Sequence, residues 1–85
     1  MEEPELRREV MRALRAVAPE VEEAALDPRA PLREQVDLDS IDFLRFLAEL
    51  EARLGIAIPE AEYARLTSLD SLVQALAERS APARR

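Results

Sequence analysis

In the stretch Val36-Asp37-Leu38-Asp39-Ser40-Ile41-Asp42-Phe43-Leu44, one hydroxyl sits among carboxylates, just ahead of a strongly patterned apolar run. The pattern predicts a helix opening at Ser40. A helix start offers unpaired N–H groups and the positive end of the peptide dipoles, so a phosphate esterified to Ser40 would lie where the backbone already favours negative charge. A plainer reading uses the same residues, because serine and aspartate are both preferred N-caps and either Ser40 or Asp39 could close the helix start. A calcium loop is the third chemistry to weigh for Asp37, Asp39 and Asp42. Counting from Asp37, the fifth position is Ile41, the sixth is Asp42 where such a loop has glycine, and the twelfth is Ala48 where it has glutamate. No metal site is therefore expected. The chain contains no His, Cys or Lys, which removes the commonest bases and nucleophiles, and intrinsic catalysis is not expected either.

The elements that position Ser40 follow from periodicity. Placed at helical steps, Phe43, Phe46, Leu47, Leu50 and Leu54 fall in one arc of roughly 100°, the width of a core-facing stripe. Asp42, Arg45, Glu49 and Arg53 lie opposite. Ile41, Leu44, Ala48 and Ala52 form a second, milder apolar arc beside the serine, which either packs on another element of the chain or serves as a docking strip. The helix is predicted over 40–54, ending at Gly55, the single glycine.

Ahead of it, Pro4 among acids and the recurrence of Leu6, Val10, Ala13, Leu14 and Val17 predict a helix over 4–17, stopped by Pro19. Residues 20–39 are a long connection in which Pro28 and Pro31 forbid an extended helix. Val21, Ala25, Leu26, Leu32 and Val36 should pin it to the bundle, with a helical turn over 20–25. Ile56 and Ile58 read as a packed linker. A brief helix over 59–66 should bring Tyr63 and Leu66 inward. Thr67 with Asp70 resembles a capping box, opening a last helix whose stripe is Leu69, Leu72, Val73 and Leu76 and whose end falls near Glu78 or Arg79. Residues 1–79 thus form the domain, and 80–85 a frayed tail.

Eighty-five residues make one domain, and 48% hydrophobic content with one glycine suits a compact helical protein rather than a turn-rich β fold. The absence of cysteine excludes a disulfide framework. Met1-Glu2-Glu3-Pro4 is not a signal peptide, and no run approaches membrane-spanning length, so a cytoplasmic protein without membrane association is expected. A net charge of −6 repels nucleic acid and attracts basic protein surfaces.

Asp39-Ser40-Ile41 resembles the Asp-Ser-Leu/Ile attachment site of acyl carrier proteins. It comes with Pro31-Leu32-Arg33-Glu34 upstream, the patterned run to Leu54, then Ile56-Ala57-Ile58-Pro59 and Thr67-Ser68-Leu69-Asp70-Ser71-Leu72, and the likeness extends over 6–76. The resemblance implies an all-α four-helix bundle with three longer helices, a short third helix and a long loop between the first two. It implies a 4′-phosphopantetheine arm on Ser40, transferred from coenzyme A by a phosphopantetheinyl transferase using Mg²⁺, whose thiol holds acyl groups as thioesters. The protein would be a monomeric substrate of other enzymes, in fatty acid, polyketide or specialised acyl transfer. Its partners would be acyl-transferring or acyl-activating enzymes with basic docking patches, meeting Asp37, Asp39, Ile41, Asp42, Leu44, Arg45, Ala48 and Glu51. Arg45 stands where the family often has an acid, and Ala52 also lacks the usual charge, which points away from the general fatty-acid partners. Two alternatives stay open: a carrier of aminoacyl, peptidyl or D-alanyl groups, and an unmodified helical interaction module.

Overall fold

The computed structural model describes residues 2–80. Helix α1 runs Glu3–Val17, one residue earlier than the proline suggested, because the Glu5 carboxylate reaches back to accept from the Glu2 N–H at 3.1 Å. Its Leu6, Val10, Met11, Ala13 and Leu14 are buried, and the helix closes where the Ala18 N–H donates to the Leu14 carbonyl at 2.8 Å, just ahead of Pro19.

The connection that follows is not bare loop. A 3₁₀ turn at Glu23–Ala25 meets the expected helical turn, and a short helix α2, Leu32–Gln35, was not foreseen. Four residues flanked by Pro31 carry too little periodicity to announce a helix; what holds α2 is burial of Leu32 and the Gln35 side chain. Gln35 accepts from the Asp27 N–H at 2.7 Å and donates to the carbonyls of Asp27 and Ala30, cross-linking the loop. Leu32, Val36 and Leu38 anchor it in the core, with Val21 and Leu26 half-buried. Ala25, expected to help, is exposed.

Helix α3, Ser40–Leu54, has the predicted bounds. Gly55 ends it in left-handed geometry at φ 65°, its N–H donating to the Glu51 carbonyl at 2.8 Å. Phe43, Phe46, Leu47 and Leu50 are buried as the first arc required, with the two phenyl rings 5.9 Å apart and tilted. The brief helix expected over 59–66 is present as a 3₁₀ helix, Glu60–Arg65. Its i→i+3 bonds run from the Glu62 N–H to Pro59 O and from the Leu66 N–H to Tyr63 O. Leu66 is buried and Tyr63 half-buried.

Helix α4, Leu69–Ser80, is capped differently from the sequence reading. Ser68 and Ser71 bond reciprocally, each Oγ accepting from the other's N–H at 3.1 and 3.0 Å. Asp70 is instead paired with Arg7 of α1 at 2.9 Å. Ser80, expected in the tail, is the last residue of α4, and 81–85 lie outside the described residues. Helix α1 packs on both α3 and α4, and their stripes make one core. No strand occurs among the described residues beyond an isolated bridge between Pro31 and Ser68, so the fold is the all-α bundle the resemblance implied.

Candidate functional site

Ser40 is the first residue of α3, and its side chain is exposed. Asp39, not Ser40, caps the helix: its Oδ1 accepts from the Asp42 N–H at 2.7 Å. The serine hydroxyl is thereby released from a structural duty that it could have performed. The N–H groups of Ser40 and Ile41 have no acceptor among the described residues, leaving two donors at the positive end of a 15-residue helix.

The connection brings one cation to this hydroxyl. Its buried anchors, together with the Leu32 N–H bond to Thr67 O at 2.7 Å and the Asp70 N–H bond to Pro28 O at 2.9 Å, stitch it to the start of α4 and fix α2 beside α3. Arg33 then donates from Nε to the Leu38 carbonyl at 3.3 Å and from Nη2 to Ser40 Oγ at 3.5 Å, the long end of the hydrogen-bond range. Its guanidinium carbon lies 5.8 Å from the Phe43 ring centroid, within cation–π reach. Arg33 can only donate, so it occupies a lone pair of Oγ and leaves the hydroxyl proton for an external base. No site role for Arg33 was read from the sequence. The signal was weak: one arginine seven residues before the serine, informative only once α2 is known.

Ser40 and Arg33 stand at the edge of an open groove of about 640 Å³ between the connection, α3 and the 3₁₀ segment. Leu38, Phe43, Leu44 and Tyr63 are among its apolar lining. The second arc of α3 is at the surface rather than packed within the chain. Ile41 is 63% and Leu44 48% exposed, and Ala48 and Ala52 are exposed too. Around this strip Asp37, Asp39 and Arg45 are exposed and Asp42 is half-buried. Glu51 is drawn elsewhere. Its Oε2 accepts from the Ile58 N–H at 2.6 Å, holding the linker after α3 against the bundle.

An exposed serine at the start of α3 in an all-α bundle, beside N–H groups without acceptors among the described residues and a cation, defines a class: a small helical domain that displays one hydroxyl at a helix start. Comparison with known proteins gives the family. The family model described as "Phosphopantetheine attachment site" matches residues 6–76. An acyl carrier protein of Rubrobacter xylanophilus is 33% identical over 58 residues, spanning 68% of this chain and 72% of that protein. No solved structure matches significantly. The chain belongs to the acyl carrier protein family, whose members are carriers rather than enzymes and bear 4′-phosphopantetheine covalently. Membership brings partners of two kinds, a phosphopantetheinyl transferase and acyl-handling enzymes. Among the described residues no helix is long and apolar enough to cross a membrane.

The local geometry fits the group. The first turn of α3 holds two backbone N–H donors without an acceptor among the described residues, the Arg33 guanidinium reaches Ser40 Oγ, and an elongated organic arm leaving that oxygen has a groove beside it.

Proposed function

We propose that Ser40 is the attachment residue and that the protein is a monomeric cytoplasmic carrier of acyl groups for fatty acid, polyketide or a specialised acyl-transfer synthesis. The observation that carries this reading is the position of Ser40 Oγ: exposed, excused from capping by Asp39, and next to donors suited to a phosphate. When bound, the arm supplies a terminal thiol on which acyl groups are held as thioesters, chemistry that a chain without cysteine lacks. The protein's own residues present and orient. Ser40 Oγ would take the phosphopantetheine as the pyrophosphate bond of coenzyme A breaks and adenosine 3′,5′-bisphosphate leaves, its proton passing to a base of the transferase, since the chain has neither His nor Lys to offer.

Ile41, Leu44 and Ala48 form the apolar docking strip, and Asp37, Asp39 and Asp42 give its neighbourhood the negative charge that basic enzyme surfaces recognise. Arg45, exposed on the same helix, adds a positive point that disfavours a uniformly basic partner and supports a dedicated pathway. The apolar wall of the groove favours acyl over aminoacyl cargo. Incubation with coenzyme A and a broad-specificity transferase should add the mass of one phosphopantetheine, and Ser40→Ala should accept none. An unchanged mass with a transferase active on a control carrier refutes the attachment. If the chain is instead an unmodified interaction module, Ser40→Ala retains its cellular role while Leu44→Asp abolishes it.

A further inference from the structure

We propose that Arg33 is a positioning residue that clamps the phosphodiester on Ser40 and holds the first part of the arm at the groove; this rests on Ser40 being the attachment residue. Over 33–42 the chain has four acids, Glu34, Asp37, Asp39 and Asp42, and one base, Arg33. A phosphodiester brings a further negative charge into that crowd. The helix N-terminus offsets part of the repulsion, and one Asp39 oxygen is already committed to the Asp42 N–H. Arg33 is the one cation in the segment, and its guanidinium has no carboxylate partner among the described residues.

It is also held in place. The Leu38 carbonyl binds Nε, the Phe43 ring lies beneath the guanidinium carbon, and Nη2 reaches the oxygen that becomes the bridging atom of the ester. A guanidinium so anchored meets the nonbridging phosphate oxygens with little further ordering, and its planar fork suits them better than an ammonium would. Because Arg33 and Ser40 share the groove, the clamp directs the proximal arm along it rather than letting it sweep freely into solvent.

The experiment compares apo and holo protein for the wild type, Arg33→Met and Arg33→Lys, with loading verified by mass. On loading, the wild-type Arg33 Nε–H resonance should shift and the ³¹P signal should report a less mobile phosphate than in Arg33→Met. The Tm change on loading should be more favourable in the wild type than in Arg33→Met by roughly 2–4 °C at low salt, shrinking as salt screens the pair. Arg33→Lys should recover part of that difference. An Arg33 resonance unmoved by loading, or ³¹P relaxation and Tm changes equal in wild type and Arg33→Met, overturns the clamp while leaving attachment standing. Failure of the wild type to gain mass overturns both. The wild-type resonance decides the matter even if Arg33→Met does not fold.

Discussion

Replacing Glu51 by alanine should destabilise the protein by about 1 kcal/mol, a loss that a residue serving only to greet partners would not show. The Glu51 carboxylate accepts from the Ile58 N–H at 2.6 Å in a partly buried setting, beside an Ile58 side chain that is 5% exposed. A hydrogen bond to a charged group contributes about 1.5–3 kcal/mol, and partial exposure places this one near the lower end. Two opposing effects reduce it. An acid near the C-terminus of α3 faces the negative end of the helix dipole, and alanine is the better helix former, together worth about 0.5 kcal/mol. The remainder, about 1 kcal/mol, corresponds to a fall in Tm of roughly 4–8 °C for a domain of this size. Urea unfolding of the apo protein, followed by far-ultraviolet circular dichroism, measures it directly. Glu51→Gln, which keeps a neutral acceptor, should lose less than Glu51→Ala. A loss below about 0.3 kcal/mol for Glu51→Ala would refute the structural assignment, and weakened enzyme docking with unchanged stability would return Glu51 to the recognition surface.

Leu50→Ala, at a fully buried position in the α3 stripe, should cost about 2–5 kcal/mol by chemical denaturation, enough to bring so small a domain near its unfolding threshold. Asp39→Ala should cost about 1 kcal/mol through the lost cap, whereas Ser40→Ala should stay within about 0.5 kcal/mol while abolishing loading; equal losses would mean that the serine also caps. Arg45→Glu, on an exposed side chain outside every ion pair of the described residues, should scarcely change melting and should strengthen binding to basic carrier-protein enzymes; a stability loss above about 1 kcal/mol would make Arg45 structural.

The features read correctly in advance share a short range. Helix α3 begins and ends where the residues say because its start is a side chain bonding three residues on, Asp39 to Asp42, and its end is a glycine adopting a conformation costly to other residues. The errors share a different origin. Thr67 and Asp70 satisfied the spacing of a cap, yet Asp70 is drawn to Arg7, 63 residues away, and the neighbouring Ser68–Ser71 pair performs the capping. The bond that Glu51, read as a partner-facing acid, makes to the Ile58 N–H was likewise not foreseen, because that N–H lies beyond the glycine turn.

By itself, then, the amino-acid order determined that the chain is helical, where its central helix starts and stops, which arc of that helix meets the core, and which hydroxyl stands at its head. These are matters of periodicity and of hydrogen bonds reaching at most four residues. Only the tertiary structure decided that the second apolar arc stays in solvent, that α2 forms within the connection, and that Arg33 comes to rest beside Ser40 Oγ. The last two go with a connection bonded to the start of α4, Leu32 N–H to Thr67 O and Asp70 N–H to Pro28 O, contacts between segments far apart in sequence whose meeting no local pattern encodes.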